Sequence, residues 1–354
     1  ALDGPRQADL ITRAGGRAAP MPLTDTSGDP HMEALMRFDP QVIYAACEEG
    51  REVHAQLKSP PWSHLSAVKN RRIYLFPARL LENDLSHLGY LVNALASRAH
   101  PELYADPAHR VRPTRVVQTR RVPVDLALVT GARICHHYRY DFISKTLVVD
   151  FQSPQTILST LAGFRTGIRT VGNHYAPPPC WWLAPHSGLD VLQKEVLPAI
   201  DRPTGSTSLL FTGADMDHLA VETATFREMQ ITALVTAGVR GNAMRMSRDT
   251  GGYYEPGTIN IILMSSMGLT ERAMSRALVT ATEAKTAALW DLDIRSSYSP
   301  RRHAATGTGT DNLIVVQNSG AETRIDNSGG HTKMGELIAT AVYKGVREAI
   351  AGQN

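Results

Sequence analysis

The segment Gly172-Asn173-His174-Tyr175 brings an amide, a histidine and a phenol together in consecutive residues. A histidine beside an amide can serve as a general base, a proton shuttle or a metal ligand. We therefore take His174 as a candidate catalytic residue, and Asn173 and Tyr175 as candidate substrate-binding residues. The alternative is that His174 only hydrogen-bonds within its own loop.

Two glycine-containing segments further along the chain lie next to candidate amide donors. One is Val235-Thr-Ala-Gly-Val239, followed by Asn242, and the other is Gly257-Thr258-Ile259-Asn260. Because glycine has no Cβ, a ligand can approach the backbone closely at such positions. Asn242 and Asn260 are therefore candidate donors to a ligand carbonyl. An ordinary tight turn and an asparagine that only anchors a strand are the alternatives.

A segment with helical periodicity places charged residues beside a stripe of alanines. Glu283 and Lys285 lie in Thr280-Ala-Thr-Glu283-Ala-Lys285. Glu283 could act as an acid or a base if burial raises its pKa, and the alternative is a solvated surface position. Lys285 is a candidate substrate-binding residue.

The segment Ala305-Thr306-Gly307-Thr308-Gly309-Thr310-Asp311 alternates threonine with glycine before a predicted strand. Its hydroxyls and free backbone N–H groups suit the binding of carbonyls or an anion. Thr306, Thr308 and Thr310 are therefore candidate substrate-binding residues, and Asp311 is a candidate base or orienting carboxylate. The segment is not a P-loop, because no Gly-Lys-Ser/Thr follows and the next element is a strand.

The segment Gly329-Gly330-His331-Thr332-Lys333 directly precedes the predicted C-terminal helix. The free N–H groups and the dipole at a helix N-terminus favour negative charge. His331 is a candidate catalytic residue at this position, and Lys333 is a candidate substrate-binding residue.

Composition and missing motifs give no support to several other classes of protein. The 354 residues contain 37 Lys+Arg and 34 Asp+Glu, and the net charge of +3 is too small to indicate a nucleic-acid or membrane-surface partner. No apolar run of about 18 residues predicts a membrane-spanning helix. The three cysteines form no CxxC pair, and no GxSxG or HExxH motif occurs.

The pattern of strands and helices predicts an α/β protein of two parts. A Pro- and Arg-rich stretch places the boundary near residue 110. Residues 1–110 are predicted to form a half-domain of alternating strands and helices with a parallel sheet. Its predicted elements are helices over 32–38, 50–57 and 86–100 and strands over 41–46 and 72–76.

Residues 111–354 are predicted to form a larger α/β domain. Strands are predicted over 125–129, 145–151, 208–212, 231–239, 258–264 and 313–317. Helices are predicted over 154–161, 218–227, 270–290 and 332–351, of which the last two have the longest helical periodicity. We expect the polar segments to lie at strand ends, where α/β sheets carry their sites.

The six motifs of the second part resemble, in the same order, those of the adenosylcobinamide amidohydrolase family. They are VGNHY (171–175), VTAGV (235–239) with Asn242, GTINI (257–261), TATEAKTAAL (280–289), ATGTGTD (305–311) and GGHTKMGELI (329–338). The resemblance implies a corrinoid-salvage enzyme that cleaves the amide between the corrin propionyl arm and aminopropanol, giving adenosylcobyric acid. The chain departs from the family pattern at residues 244–256, where a compact loop is expected at the mouth of the pocket.

The first part resembles the C-terminal lobe of cobalamin or iron-siderophore transporter binding proteins, which are periplasmic. The motifs are AGGR (14–17), FDPQVIYAA (38–46), PPWSHLSAVKNRRIYLF (60–76) and HPELY (100–104). The resemblance implies a corrinoid ligand and a cobalamin ABC transporter as a partner. It favours a periplasmic or envelope location, whereas the hydrolase resemblance favours the cytoplasm.

Amide hydrolysis requires an activated water, donors to the oxyanion and an acid for the leaving amine. We expect His174 or Asp311 to activate water and His331 or Glu283 to protonate the amine. The corrinoid is the substrate and no cofactor is assigned, while a divalent metal shared by His174, Asp311 and His331 stays open. The alternatives are a non-catalytic corrinoid-binding module for import and an amidase for another large amide. The expected substrate-binding residues are Asn173, Tyr175, Asn242, Asn260, Lys285, Thr306, Thr308, Thr310 and Lys333.

Overall fold

The structure is a computed structural model that describes residues 5–19, 32–46, 57, 59–60, 62–76, 88–183, 188–249 and 257–353. The chain divides into two compact units, Ala1–Arg110 and Val111–Asn354. The helix predicted over 50–57, apart from Leu57, lies outside the described residues. Of residues 244–256, where the chain departs from the family pattern, residues 250–256 also lie outside the described residues. Within the described part of the chain, no helix is both long enough and apolar enough to span a membrane.

The described residues of the first unit contain a pair of parallel strands with helices on either side in sequence. Strand β1 (Ile43–Ala46) pairs with β2 (Ile73–Phe76), and this confirms the predicted parallel pairing. Tyr44 and Tyr74 pack with a cluster that contains the buried Leu95, whereas Ile43 packs with the buried Trp62. The helices are α1 Pro5–Arg13, α2 Met32–Phe38, α3 Ser66–Lys69, α4 Leu88–Ala99 and α5 Pro101–Ala105.

Nine strands of the second unit form one curled sheet. The strand order is β3-β4-β5-β14-β11-β9-β8, with β6 paired to β5 and β7 paired to β6. Neighbours are antiparallel except for the parallel pairs β6–β7 and β11–β14. The bounds are β3 Gln118–Arg121, β4 Val129–Arg139, β5 Phe142–Ser159, β6 Gly163–Tyr175, β7 Thr207–Thr212, β8 Ala220–Phe226, β9 Met229–Ala237, β11 Ile259–Ser265 and β14 Asn312–Gln317.

The long strands β5 and β6 connect the two halves of this sheet. Their pairing register shifts between Asp150 and Gln155. Before the shift β5 pairs with β4, and after it β5 pairs with β14. The two halves therefore face each other across a shared core, in which Leu147 and Leu210 of one half pack with Ile262 of the other.

Helices cover the two outer faces of the sheet. Leu263 of β11 faces helices α8 (Glu271–Asp291) and α9 (Lys333–Ala351), whereas its neighbour Ile262 faces the inner core, as strand alternation requires. On the other half, Leu209 and Phe211 pack against helix α7. The helices are α6 Pro178–Leu183, α7 Gly188–Ala199, α8 Glu271–Asp291 and α9 Lys333–Ala351.

Both long C-terminal helices confirm their predictions, and each begins at a threonine cap. Thr270 Oγ1 accepts a hydrogen bond from Ala273 N, and Thr332 Oγ1 accepts one from Gly335 N. Such a cap satisfies one of the free N–H groups of the first turn. The alanine stripe of α8 is buried against the sheet and α9.

Three predicted elements of the second unit are wrong. Residues 154–161 and 218–227 were predicted as helices, but they lie mainly in β5 and β8. The strand predicted over 125–129 is absent, since β4 begins only at Val129. Short apolar runs are compatible with the periodicity of a helix and with that of a strand. These two segments form strands because they pair with β14 and β9, respectively. The short ladders β10 (Ala243–Met244) with β13 (Gly307–Thr308) and β12 (Gly268–Leu269) with β15 (Arg324–Ile325) were not predicted.

Candidate functional site

A buried amide network joins the two halves of the curled sheet. Asn173 of β6 donates through Nδ2 to Thr236 Oγ1 of β9 at 2.9 Å. Asn260 of β11 donates through Nδ2 to Asn173 Oδ1 and to the carbonyl oxygen of Phe211, both at 2.9 Å. These three polar side chains are at most 2% exposed. The network therefore ties the end of β6 to the end of β9 and the start of β11.

A second group of polar contacts lies at the same end of the sheet, next to the start of β11. Asn242 Nδ2 donates to the carbonyl oxygen of Gly257 at 3.0 Å and to Thr310 Oγ1 at 3.3 Å. Thr310 Oγ1 donates to the same carbonyl oxygen at 3.1 Å. A Cβ on Gly257 would lie 3.0 Å from the carbonyl oxygen of Gly238, so the two segments meet closely because both are glycine there.

A lysine and an aspartate form an almost buried ion pair beneath the 305–311 segment. Lys285 Nζ of α8 donates to Asp311 Oδ2, and the two side chains are 6% and 12% exposed. Asp311 Oδ1 also accepts from Thr308 Oγ1, from Thr308 N and from Ile259 N. These donors fix the direction of the carboxylate and hold the segment over the lysine.

Gly307 leaves the space in which this ion pair sits. A Cβ at this position would lie 2.4 Å from Asp311 Oδ2 and 2.6 Å from Lys285 Nζ. Gly309, two residues later, is exposed. The segment thus has an accessible tip above an almost buried cation and carboxylate.

His174 lies on the opposite face of β6 from Asn173, because consecutive residues of a strand point to opposite faces. Its Nδ1 hydrogen-bonds Thr146 Oγ1 at 2.8 Å, and the same hydroxyl contacts His137 Nε2 at 3.0 Å. The two imidazole rings stack with centroids 5.5 Å apart. Burial lowers the pKa of His137 to about 4, and burial together with His137 holds the pKa of His174 well below its ordinary value.

The other predicted site residues are spread over the surface of the second unit. Glu283 is exposed on α8, and His331 is exposed before α9, with Nε2 3.4 Å from Asn327 Nδ2. Lys333 pairs with Glu336 at 2.5 Å. Thr306 is the exception, since it is half-buried in the 305–311 segment, five residues before Asp311, and its Oγ1 accepts from the backbone N–H of Met246 at 3.1 Å.

An ionic cluster that the sequence motifs did not indicate follows β7. Lys145 Nζ donates to Asp215 Oδ1 at 2.7 Å and to Asp217 Oδ2, and it lies 5.8 Å from the centroid of the Tyr175 ring. Partial burial opposes ionisation of Asp217, but Lys145 outweighs it and leaves the pKa of the carboxyl below its ordinary value. The signal was the pair of aspartates two residues apart directly after a buried strand.

The structure brings Asn242, Thr308, Thr310, Asp311 and Lys285 together at one end of the sheet, next to the network of Asn173 and Asn260. It does not bring His174, Glu283 or His331 to that place. In the described part of the chain, no three His, Cys, Asp or Glu side chains are arranged to hold a metal ion. His174, Asp311 and His331 therefore do not share one ion there.

A family model described as adenosylcobinamide amidohydrolase matches residues 126–354, which include all of these contacts. The chain belongs to the adenosylcobinamide amidohydrolase family. The matched residues lie within the second unit, and the first unit lies outside them. Family membership supports an amidohydrolase and makes a corrinoid a plausible substrate.

Two relatives and one solved structure are similar to the chain. An adenosylcobinamide amidohydrolase of Methanosarcina mazei is 30% identical over 223 residues, which cover 60% of this chain and 97% of that protein. An uncharacterized protein of Methanocaldococcus jannaschii is 41% identical over 229 residues, covering 60% of this chain and 88% of that protein. A Pyrococcus horikoshii protein of known structure, at 10% identity, aligns with a TM-score of 0.33 over 68% of this chain and 85% of that one.

Proposed function

We propose that the protein hydrolyses adenosylcobinamide to adenosylcobyric acid and 1-aminopropan-2-ol in corrinoid salvage. The bond that breaks is the amide between the propionyl arm of the corrin ring and aminopropanol. The observation that carries the proposal is the Lys285–Asp311 pair beneath the accessible tip of the 305–311 segment, inside the residues that match the family. The family alone does not favour the alternative of a non-catalytic corrinoid-binding module.

In this proposal Lys285 stabilises the negative charge that develops on the amide oxygen. Water adds to the carbonyl carbon and gives up one proton, to Asp311 if that residue is the base and otherwise to solvent, while the carbonyl oxygen becomes an oxyanion. The oxyanion then re-forms the carbonyl as the C–N bond breaks and the leaving amine takes up a proton. A positive charge in a site that excludes water stabilises an oxyanion far more than the same charge does in water. Lys285 fits this role because its side chain is only 6% exposed and is held by a single carboxylate in the described contacts.

Asp311 has two proposed roles that experiment can separate. As a positioning residue, it holds Lys285 and the 305–311 segment through the four donors that its oxygens accept. As a base, it takes the proton of the attacking water. The number of donors already present favours the positioning role, since a carboxylate offers about four acceptor sites.

The remaining polar residues of this end of the sheet are proposed to bind the substrate's amides. Thr310 is half-buried next to the exposed Gly309, whereas Asn242, Asn173 and Asn260 are buried and shape the wall behind it. No reaction step is assigned to His174, Glu283 or His331, because they lie elsewhere. The uptake of a proton by the amine is left to solvent.

The test is mass spectrometry of adenosylcobinamide incubated with the wild-type protein and with matched pairs of variants. We expect adenosylcobyric acid from the wild type, a loss on the order of 10²–10³ in kcat for Lys285→Met, and little change for the exposed Lys344→Met. For Asp311→Asn, a positioning role predicts a lower kcat with an unchanged pH profile, and a base predicts loss of the acidic limb. Asp293→Asn, whose side chain is 78% exposed, is the control.

Three outcomes would overturn parts of this proposal. Full activity of Lys285→Met would show that the reaction does not take place at this end of the sheet. Loss of cleavage in Glu283→Gln or His331→Gln, with Lys285→Met active, would move it to the helix surface. Tight retention of the corrinoid without cleavage by the wild type would favour the binding module.

We also propose that the first unit is a lobe of the kind found in cobalamin-transporter binding proteins and docks to such a transporter. Its support is the alternation of strands and helices, with the parallel pair β1–β2. The test is co-purification of the full chain with a cobalamin ABC transporter in membranes, compared with a variant in which surface residues of α5 are changed. Absence of any association of the full chain would refute this proposal.

A further inference from the structure

An exposed aromatic and aliphatic surface adjoins the 305–311 segment. Trp290, at the end of α8, is 52% exposed, and Met246 is 49% exposed. The guanidinium carbon of Arg245 lies 5.1 Å from the centroid of the Trp290 ring. We call these three residues the Trp290 surface. Large exposed apolar groups beside a polar site are a common property of ligand-binding surfaces.

Hydrogen bonds attach the Trp290 surface directly to the proposed reaction site. Trp290 Nε1 donates to the carbonyl oxygen of Ala305 at 3.0 Å, and Met246 N donates to Thr306 Oγ1 at 3.1 Å. Thr286 Oγ1 donates to the carbonyl oxygen of Thr306 at 3.0 Å. The same segment thus carries the Trp290 surface at one end and Asp311 at the other.

The distance between the two places fits the shape of the proposed substrate. Trp290 follows Lys285 by five residues on one helix, which corresponds to about 7.5 Å along the axis. The propionyl arm has two methylene groups, so that the ring edge lies within roughly 4–5 Å of the scissile carbonyl at carbon–carbon bonds of about 1.5 Å. Five residues also turn Trp290 by about 140° around the helix from Lys285, so the Trp290 surface lies beside the reaction site, against Ala305, and within reach of a macrocycle whose amide is held there.

We propose that the Trp290 surface binds the corrin ring of the substrate and so selects corrinoids over other amides. Trp290 and Met246 contact the apolar macrocycle, and Arg245 donates hydrogen bonds to the carbonyl oxygens of the amide arms at its rim. Arginine suits this position because its planar group stacks on an aromatic ring while keeping donors for acceptors beyond it. The inference rests on the proposed function, since that function supplies the corrinoid.

The test compares binding and turnover of adenosylcobinamide in variants of the full-length protein. Binding is measured by equilibrium dialysis, with the visible absorbance of the corrinoid as the readout. We expect Trp290→Ala to weaken binding and raise KM by at least about tenfold, with kcat reduced much less. The control is Val279→Ala, which removes an equally exposed apolar side chain, 49% exposed, from an earlier part of the same helix.

A conservative variant separates ring contact from a role in anchoring the segment. Trp290→Phe keeps an aromatic surface but loses the hydrogen bond to Ala305. If the surface binds the ring, Trp290→Phe restores most of the affinity that Trp290→Ala loses. If Trp290→Phe instead lowers kcat as strongly as Trp290→Ala and leaves KM unchanged, Trp290 only anchors the segment and the inference is wrong.

The binding readout separates failure of this inference from failure of the proposed function. A wild-type protein that binds adenosylcobinamide without cleaving it refutes the proposed hydrolysis, while the loss of binding in Trp290→Ala still supports the Trp290 surface. A wild-type protein that cleaves the substrate while Trp290→Ala and Arg245→Gln bind it normally refutes the surface alone. No corrinoid binding by the wild type refutes both.

Discussion

Replacement of Gly307 by alanine perturbs the Lys285–Asp311 pair without removing a functional group. The new Cβ would lie 2.4 Å from Asp311 Oδ2 and 2.6 Å from Lys285 Nζ, about 1 Å inside ordinary contact distances. Lys285 can move because its side chain is long, whereas Asp311 is held by backbone donors. We therefore expect the ammonium group to be displaced from the carboxylate and from the substrate carbonyl.

The expected loss of activity is larger than the expected loss of stability. A single added methyl group in a packed site costs about 1–3 kcal/mol of the free energy of unfolding. Displacement of the group that stabilises an oxyanion lowers kcat by on the order of 10²–10³. Gly307→Ala should therefore remain folded at room temperature and cleave adenosylcobinamide at least about a hundred times more slowly.

Urea unfolding and the initial rate of cobyric acid release, measured on the same preparation, test this expectation. Gly205→Ala is the control, because no heavy atom lies within 4 Å of its added Cβ. A Gly307→Ala protein that shows the expected loss of stability but a wild-type kcat would refute the assignment of Lys285 to the oxyanion. An unchanged stability and an unchanged kcat would show that the pair is not packed as described.

Three further predictions concern polar groups that are buried or partly buried. Asn260→Ala leaves Asn173 Oδ1 and a backbone carbonyl without their donor, and should lower the free energy of unfolding in urea by about 1–3 kcal/mol. The pKa of His137 is about 4 in the folded protein, below the ordinary value of about 6.5 that applies when the chain is unfolded. The free energy of unfolding should therefore be highest above about pH 6.5 and should fall by roughly 3 kcal/mol as the pH is lowered toward 4. His137→Phe should flatten this pH dependence. Asp150 accepts from Arg133 and Arg202, so Asp150→Asn should cost about 1–3 kcal/mol at neutral pH and less below pH 4.

Each of these three predictions would be contradicted by a specific result. An Asn260→Ala protein as stable as the wild type would mean that water replaces the lost donor. Stability of His137→Phe that still falls between pH 6.5 and 4 as in the wild type would assign that dependence to other groups. The pKa of Asp150 is held below its ordinary value because its hydrogen bonds outweigh its partial burial. If the free energy of unfolding of Asp150→Asn falls at acidic pH as steeply as that of the wild type, Asp150 does not contribute to acid unfolding and this explanation is wrong.

The long helices were predictable, and the long strands of the second unit were not. The periodicity of α8 and α9 extends over five or more turns, which leaves no competing interpretation. Strand β6 was missed because its first half is exposed and contains Gly163 and Gly167, both with positive φ. Its register depends on β5, which itself bends near Asp150. These features are set by the partner strand rather than by local sequence.

The candidate site was predictable as a set of segments but not as a set of contacts. Asn260 and Asn173 are 87 residues apart, and they meet only because the sheet curls. His174 and Asn173 are neighbours in sequence, but they point to opposite faces of strand β6. This separation could not be predicted while the segment was interpreted as a loop. Lys145 and Asp215 were missed for the same reason, since 70 residues separate them.

The bent strand β5 has a consequence for synthesis of the protein on the ribosome. Its second half pairs with β14, and Thr160 contacts Leu313, 153 residues later in the chain. While the intervening residues are still being translated, that half of β5 presents an unpaired edge with apolar residues such as Ile157. Contacts of such long separation form slowly, and exposed edges associate with other chains. We therefore expect nascent chains that end before β14 to aggregate or to require a chaperone, and completion of the C-terminal third to close the edge.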